Sequence, residues 1–390
     1  MKKSIAILGS TGSIGSSTLN CVSGNNNFSI RLLSTNKNVK KLLMQSKKFK
    51  VRDAIVEDIN QFYKYSKIFK KNKINLHHGL KNLKEILKDR VNYCINAISG
   101  LDGLHPTLNI IPHTENILIA NKESIICGWE LISNKLRKHN TEFIPIDSEH
   151  FSIWKLIKYE NIEDINKIIL TSSGGPFLNI PNKKIINFKP KFALKHPNWK
   201  MGKKISIDSS TMMNKVFEYI EAKKIFNLKK NKLSILIHPS SFVHAIVFLK
   251  GDLIKFLAHE TNMKIPISNA LDIKNISNKN KFINHVNKIN NLEFIIPDLK
   301  KFPLLSLLKL VPEDNSYFET VLITINDYLV NEYLDERINY ISIQRNLIRL
   351  IKNPYFKNYY KLKPTSIYDI KKMTMITKKY LKNNIRSYAF

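Results

Sequence analysis

The amino-acid sequence predicts an α/β fold, because short apolar runs alternate with polar segments of helical composition. The first run, at residues 4–8, is followed by a glycine-rich loop and the helix-compatible segment SSTLNCV. Similar runs follow at 28–35 and in VRDAIVE, NYCINAISG and ENILIANKES. Strands and helices in alternation form a parallel sheet that is covered by helices on both faces.

The same alternation, followed by its loss, predicts the domain organisation. After TEFIPIDSEH the chain offers a second α/β region, with strands expected in NKIILTSSGG, LSILIHP, HAIVFL and LIKFLA. From about residue 300 it contains no glycine and shows helical periodicity. We expect an N-terminal Rossmann-like parallel-sheet domain at 1–147, a central α/β domain at 148–273, a Lys- and Asn-rich linker at 274–299 and a C-terminal helical bundle at 300–390.

The composition restricts the partners and the compartment. The formal net charge of the 390 residues is +32, yet the lysines are spread along the whole chain among Asn and Ile. This spread indicates compositional bias rather than the clustered basic face of a nucleic-acid-binding protein, which stays an alternative. The three cysteines, Cys21, Cys94 and Cys127, lack the spacing of a disulfide framework or a zinc site. With no apolar run long enough for a signal peptide or a membrane-spanning helix, we expect a soluble cytoplasmic protein.

A glycine-rich loop directly after the first predicted strand indicates a dinucleotide site. Gly9, Gly12 and Gly15 have the spacing G-x-x-G-x-x-G between a strand and a helix. Glycine lets the backbone approach a pyrophosphate, whose charge is met by the helix N-terminus. The end of the second strand reads STNKN, with Lys37 and no carboxylate nearby, which favours NADP over NAD.

Two carboxylates follow the predicted strand EFIPI. Asp147 and Glu149 are two positions apart, and in an extended chain such residues share one face. Oxygen ligands without cysteine or paired histidine favour Mg²⁺ or Mn²⁺. A third carboxylate is available at Glu218 or Glu221, although spacing alone leaves open whether these two face solvent.

Polar residues later in the chain are typical of a sugar-phosphate site. Ser173 precedes two glycines in SSGGPF, and Ser209 or Ser210 is expected near a helix start, where an anion is favoured. The same stretch adds further hydrogen-bond donors, namely His196, Asn214 and Lys215.

Taken together, these segments resemble the 1-deoxy-D-xylulose-5-phosphate reductoisomerase family in content and order over residues 1 to about 270. The segments are GSTGSIG, ANKES, PIDSEH, SSGGPF, HPNWKMGKKISIDSSTMMNK, EYIEA and LIHPSSFVHA. The resemblance implies an NADP-dependent oxidoreductase that uses NADPH and Mg²⁺ or Mn²⁺. Its reaction rearranges and reduces 1-deoxy-D-xylulose 5-phosphate to 2-C-methyl-D-erythritol 4-phosphate in isoprenoid precursor biosynthesis. It further implies a homodimer and a flap at about 173–203 that carries Trp199.

The resemblance also implies roles for individual residues. Contacts to NADPH are implied for Thr11, Gly12, Ser13, Ile14, Lys37, Asn38, Asn121, Glu123 and Gly202. The implied metal ligands are Asp147, Glu149 and Glu218. Substrate contacts are implied for Lys122, Ser148, Glu149, Ser173, His196, Ser209, Asn214, Lys215 and Glu218. Direct participation in catalysis is implied for Lys122, Glu149 and Lys215.

The chain departs from the family pattern at several positions. Asn36 stands where the family usually has glycine, TNMK at 261–264 replaces PDMR, and IND at 325–327 replaces ANE. Beyond about residue 300 the resemblance is weak. A decayed inactive copy stays a further alternative, as does an aldehyde or acyl-phosphate dehydrogenase that uses Cys127 as nucleophile, although Cys127 lies in an apolar run.

Overall fold

The computed structural model describes residues 2–80, 83–186, 188–199, 202–274 and 282–384. These residues form two compact units. The first unit comprises 2–125, 129–151 and 263–274, and the second comprises 126–128, 152–262 and 282–384.

Within its described residues, the first unit contains a seven-stranded parallel sheet. Its strands are β1 (Lys3–Leu8), β2 (Phe28–Thr35), β3 (Asp53–Val56), β4 (Asn75–His78), β5 (Val91–Asn96), β6 (Thr114–Ile119) and β7 (Glu142–Pro145). Their spatial order is β4-β3-β2-β1-β5-β6-β7, and every neighbouring pair is parallel. Strands β2, β3 and β4 follow one another on one side of β1, and β5, β6 and β7 follow one another on its other side. This reversal creates a switch point at the carboxyl ends of β1 and β5, where open α/β sheets bind ligands.

Helices connect these strands. They are α1 (Ser13–Val22), α2 (Val39–Lys48), α3 (Ile59–Lys71), α4 (Leu83–Ile86), α5 (Leu104–Ile110) and α6 (Lys122–His139). α7 (Ser148–Ile157) follows β7, and its residues from 152 onward belong to the second unit. Short 3₁₀ helices cover Leu101–Gly103 and Ile111–His113. In β1, Ile5, Ala6, Ile7 and Leu8 are fully buried, as expected for a central strand that is covered on both faces.

The second unit contains a four-stranded mixed sheet in its described part. Its strands are β8 (Ile165–Ser172), β9 (Leu233–Ile237), β10 (Val243–Leu249) and β11 (Ile254–Ala258), in the order β11-β10-β8-β9. β8 and β9 are parallel, whereas β10 is antiparallel to both of its neighbours. Ile295 extends the sheet beyond β9 through an antiparallel bridge to Ile237.

The remaining helices, numbered along the chain, complete the two units. They are α8 (Asn182–Ile185), α9 (Pro190–Ala193), α10 (Lys203–Ser210), α11 (Met213–Ile225), α12 (Lys264–Ala270), α13 (Phe282–Asn290), α14 (Phe318–Leu334), α15 (Tyr340–Ile351), α16 (Pro354–Lys357) and α17 (Ile367–Asn384). Further 3₁₀ helices cover Ile162–Asp164, Lys230–Lys232, Lys250–Asp252, Pro303–Leu310 and Tyr359–Lys361. α12 belongs to the first unit. None of the helices in the described residues combines the length and apolar character that crossing a bilayer requires.

The α/β class and the C-terminal helices were predicted correctly, and the three boundaries between the four predicted segments stay predictions. In the stretch predicted as a linker, residues 282–290 form α13, while 275–281 lie outside the described residues.

Two glycines determine the path of the loop between β1 and α1. Gly9 has φ +76°, and a Cβ there would lie 2.9 Å from the carbonyl oxygen of Ala97. At Gly15 a Cβ would lie 2.5 Å from the Cα atom of Ser10. At Gly12, in contrast, the nearest atom would be 3.5 Å away, an ordinary contact. Steric exclusion therefore requires glycine at the two ends of the motif and not at its centre.

Gly15→Ala should lower the free energy of unfolding by about 2 kcal/mol, because the added methyl group overlaps backbone that cannot rotate away. Gly12→Ala is the matched control and should cost about 1 kcal/mol or less, the penalty of alanine at a helix N-cap. Urea denaturation of both variants checks this, and equal losses of stability would contradict the steric argument.

Candidate active site

The loop after β1 places backbone N–H groups at the start of a helix. Gly12 is the N-cap residue of α1 and makes no side-chain capping bond, while Ser13 and Ile14 occupy the first turn. Thr11 precedes them, and its hydroxyl lies 2.7 Å from that of Thr35 at the end of β2. The loop therefore offers an anion the amides and the dipole of a helix N-terminus at the switch point.

The segment after β2 combines an exposed cation with a helix cap. Lys37 is exposed, and the Asn38 side chain accepts a hydrogen bond from the Lys41 amide at 3.3 Å, capping α2. Asn36, at the position where the family usually has glycine, is not among the residues with positive φ. An asparagine therefore fits this turn without backbone strain.

Asn121 connects two loops at the carboxyl edge of the sheet. It is the N-cap residue of α6, its Oδ1 accepts from the Ser124 amide at 2.7 Å, and its Nδ2 donates to the carbonyl groups of Ile98 and Gly100. The side chain is almost fully buried. Glu123 follows in the first turn of the same helix.

Lys122 and Asp147 form an ion pair in the first unit. Burial alone would raise the pKa of Asp147, but the Lys122 ammonium, helped by His150, holds that pKa well below its usual range. The His150 Nδ1 lies 3.9 Å from the carboxylate. Asp147 is therefore a carboxylate at every physiological pH.

Glu149 lies in the first turn of α7, which begins at Ser148. The expectation that Asp147 and Glu149 alternate along an extended chain was therefore wrong, because the strand ends at Pro145 and a helix follows at once. The Ser148 hydroxyl donates to the Glu149 carboxylate. The positive end of the α7 dipole stabilises both carboxylates.

In the second unit, a network of hydrogen bonds defines the protonation state of His196. Its Nδ1 accepts from the amides of Asn198 and Trp199 at 3.1 and 3.0 Å. Because a backbone amide can only donate, the proton of the neutral ring is on Nε2, which donates to the Ser173 hydroxyl at 3.1 Å. Burial lowers the pKa of His196 to about 4, so the ring is neutral at pH 7.

Helix α11 buries a second group of charged and polar residues. The Lys215 ammonium forms an ion pair with Glu218, and the Asn214 amide donates to the same carboxylate. The side chains of Lys215 and Glu218 are each only 3% exposed. Glu221 is also buried, so neither Glu218 nor Glu221 faces solvent.

The structure corrects the predicted position of Ser209. This residue lies in the last turn of α10, and α11 does not begin until Met213, so Ser209 is not at a helix start. Gly202 is the N-cap residue of α10. In the predicted flap, the rings of Trp199 and His244 meet edge to face with centroids 6.2 Å apart, whereas residues 187, 200 and 201 lie outside the described residues.

Sequence reasoning missed a buried polar contact behind the Ser209 helix. The Asn326 amide in α14 donates to the Asp208 carboxylate in α10 at 2.8 Å, and both residues are buried. Lys204 bridges Asp208 and Asp327, at 3.5 and 3.0 Å. The signal was present in IND at 325–327, where an asparagine and an aspartate interrupt an apolar helix.

Fold and residues together define an α/β enzyme of the dinucleotide-binding class, with lysine–carboxylate pairs suited to an anionic substrate and a divalent cation. Models of one family match most of the chain. The description "1-deoxy-D-xylulose 5-phosphate reductoisomerase" applies to residues 5–128, and its C-terminal domain descriptions apply to 143–226 and 259–380. The chain belongs to this family.

Individual relatives agree with this result. The reductoisomerase of Pelagibacter ubique is 48% identical over 377 residues, covering 95% of this chain and 96% of the relative. That of a Sulfurihydrogenibium species is 37% identical, covering 89% and 90%. A crystal structure described as DOX-P reductoisomerase in complex with NADPH, fosmidomycin and magnesium superposes with a TM-score of 0.88 at 31% identity, covering 98% of each chain. The enzyme from Zymomonas mobilis in complex with NADPH also gives 0.88, at 28% identity, covering 98% of this chain and 99% of the other.

These findings confirm the resemblance that the sequence motifs indicated. The family models also reach past residue 300, where the motifs alone were weak. The nucleic-acid-binding and dehydrogenase alternatives receive no support. The roles of individual residues are not decided by the comparisons and stay predictions.

The protonation of His196 predicts a pH dependence of stability. Its pKa is about 4 in the folded chain against an ordinary value of 6.5, so the unfolded chain takes up the proton first as the pH falls. The free energy of unfolding should therefore decrease between about pH 6.5 and pH 4, with a smaller decrease in His196→Asn, which cannot titrate. Urea denaturation at pH 7 and pH 5 measures the difference, and identical decreases in the two proteins would contradict this assignment.

Proposed function

We propose that this chain catalyses the NADPH- and divalent-metal-dependent rearrangement and reduction of 1-deoxy-D-xylulose 5-phosphate to 2-C-methyl-D-erythritol 4-phosphate, in isoprenoid precursor biosynthesis. The observation that best supports this proposal is the presence of two ion pairs, Lys122–Asp147 in the first unit and Lys215–Glu218 in the second, in a chain that belongs to the reductoisomerase family. Each pair places a carboxylate beside a lysine ammonium group, and for Asp147 the cation lowers the pKa of the carboxyl. Metal ligation and stabilisation of a substrate oxyanion need these two groups.

The proposed NADPH contacts all belong to loops or helix starts. Thr11, Gly12, Ser13 and Ile14 supply the pyrophosphate loop, whose first-turn amides match a doubly charged group. The remaining proposed contacts are Lys37, Asn38, Asn121, Glu123 and Gly202. Because the Asn38 and Asn121 side-chain oxygens already cap helices, we assign these two residues to shaping the site, with only their remaining polar groups available to the cofactor.

The proposed metal ligands are Asp147, Glu149 and Glu218. Their oxygen chemistry fits Mg²⁺ or Mn²⁺, and the low pKa of Asp147 means that no proton must leave before an ion binds. When bound, such an ion polarises substrate C–O bonds as a Lewis acid. Lys122 and Lys215 compensate the carboxylate charge and are the groups that we propose to stabilise developing negative charge on substrate oxygens.

The proposed substrate contacts divide into two sets. Ser173, Ser209, Asn214 and Lys215 would hold the phosphate, and Lys122, Ser148 and His196 would contact the carbon backbone and its hydroxyl groups. His196 is oriented by two backbone amides, so its Nε2–H points to a defined partner at neutral pH. Trp199 lies three residues further along the chain and donates its amide to the same ring, which supports a flap that excludes water when substrate is bound.

We also propose a homodimer that forms through β11. This strand is at one edge of the four-stranded sheet within the described residues, and Ile254 and Phe256 are exposed on it, at 59% and 46%. An exposed apolar edge strand is a ready surface for pairing with a second chain.

The cytoplasm is the proposed compartment. All three cysteines are free thiols in the structure, as expected in a reducing compartment. Fractionation of source cells would test this, and recovery of the protein in an extracellular fraction would contradict it.

The catalytic proposal predicts chelator-sensitive turnover that Glu149→Gln removes. With substrate and Mg²⁺ or Mn²⁺, NADPH oxidation should produce 2-C-methyl-D-erythritol 4-phosphate, and a chelator should stop it. Glu149→Gln should reduce turnover by more than about 100-fold, because an amide is a weaker ligand than a carboxylate. Its NADPH affinity should be unchanged.

Glu163→Gln, which alters an exposed carboxylate on the 3₁₀ helix Ile162–Asp164, is the matched control and should retain full turnover. Metal affinity measured by titration calorimetry separates ligand loss from misfolding. Normal turnover by Glu149→Gln would refute its role, and a folded, metal-loaded wild type without turnover would indicate a decayed copy.

The dimer proposal predicts that Phe256→Asp shifts the protein to a monomer, because a buried unpaired carboxylate opposes association. Light scattering coupled to size-exclusion chromatography gives the mass directly. Tyr368→Asp, which alters an exposed aromatic residue on α17, should leave the mass unchanged. A monomeric wild type, or a Phe256→Asp variant that remains dimeric, would argue against β11 as the interface.

A further inference from the structure

A second lysine, Lys41, lies at the nucleotide loop and was not indicated by any sequence motif. It is in the first turn of α2, and its Nζ donates to the carbonyl oxygen of Thr11 at 2.8 Å. Thr11 is itself hydrogen-bonded to Thr35, the last residue of β2, at 2.7 Å between hydroxyl oxygens. The Lys41 ammonium therefore lies where the phosphate loop approaches the end of β2.

In dinucleotide-binding folds, residues at this position contact the adenosine ribose of the cofactor. The end of the second strand approaches the adenosine ribose, where a carboxylate accepts a hydrogen bond from a free 2′-hydroxyl and a cation accommodates a 2′-phosphate. An ammonium group has three N–H donors, and the Thr11 carbonyl uses one of them. In the described part of the chain, no ion pair joins Lys41 to a carboxylate, so its charge is not neutralised locally.

The acidic residues nearest along the sheet are directed elsewhere. The backbone amide of Glu57 donates a hydrogen bond to the Thr35 carbonyl at 3.1 Å, but the Glu57 carboxylate lies beside Gly79, just after β4. The Asp58 carboxylate caps α3 by accepting from the Gln61 amide at 2.9 Å. Neither of these two carboxylates is therefore placed to accept a hydrogen bond from a free 2′-hydroxyl.

The Lys41 side chain is held in place by its own helix. Gln45, one turn further along α2, exchanges two hydrogen bonds with Ser10: its Nε2 donates to the Ser10 carbonyl at 2.9 Å, and the Ser10 hydroxyl donates to its Oε1 at 2.8 Å. Residues four apart share one helix face, so the same face of α2 carries both contacts to the loop. The cation is therefore pre-positioned before a nucleotide binds, which lowers the entropy lost on binding.

We propose that Lys41, together with Lys37, determines the preference for NADPH over NADH by binding the 2′-phosphate. This inference rests on the proposed use of NADPH and deepens it by naming a specificity-determining residue. Lys37 is exposed on the turn after β2, whereas Lys41 is half-buried against the loop. The half-buried position makes Lys41 the stronger contributor, because its interaction with phosphate is less screened by solvent than that of Lys37.

The test compares ligands that differ only in the 2′-phosphate. Dissociation constants for NADPH, NADH, adenosine 2′,5′-bisphosphate and AMP are measured by titration calorimetry on the full chain. Lys41→Gln should raise the dissociation constants of NADPH and the bisphosphate by about tenfold, as for loss of one charge-assisted hydrogen bond. The dissociation constants of NADH and AMP should change by less than about twofold. Lys41→Arg should retain the preference, and Lys40→Gln, which alters an exposed lysine of the same turn, should behave as wild type.

The alternative outcomes are distinct. If Lys41→Gln lowered the affinity for all four ligands equally, the proposal would be overturned, and Lys41 would only support the Thr11 loop. Unchanged affinities would also overturn it, because the 2′-phosphate must then bind elsewhere. A folded wild type that does not prefer NADPH would refute the proposed cofactor itself, whereas a wild type that prefers NADPH together with an unaltered Lys41→Gln variant would refute only the role of Lys41.

Discussion

The site depends on lysine–carboxylate pairs at positions that are largely shielded from water. A buried unpaired carboxylate is costly, and it either finds a cation or takes up a proton. Asp147 and Glu218 are each paired with a lysine of the same unit, and for Asp147 the cation overcomes the effect of burial on the pKa. Charges held in this way make a preorganised site, because no reorganisation is needed when an anionic substrate arrives.

Backbone sterics impose the second constraint, in the loop that follows β1. Gly9 and Gly15 let the chain leave β1, turn and enter α1 without collision, which presents amide groups instead of side chains. The loop is then supported from α2 by Lys41 and Gln45. A high overall charge of +32 therefore matters less for recognition than the few lysines that the fold holds in position.

The C-terminal helices show how a divergent segment retains a role. α14 is buried along most of its length and carries Asn326, which donates to Asp208 behind the helix that ends with Ser209 and Ser210. Satisfying a buried carboxylate with an amide restricts how that helix can shift. The contact therefore ties a C-terminal helix to the helix that carries Ser209.

The sequence alone determined the α/β class, the nucleotide loop, the candidate carboxylates and the family, because these depend on local periodicity and on residue types at fixed spacing. It misjudged the local conformation at Glu149 and the position of Ser209 in its helix. The reason is that a helix boundary depends on capping and packing rather than on the alternation of residues. It left Glu218 and Glu221 undecided because the burial of a helix face is set by what packs against it. Only the tertiary structure brought Lys41 to Thr11 and Asn326 to Asp208, because a sequence can mark a polar residue in an apolar helix but not its partner 30 or 118 residues away.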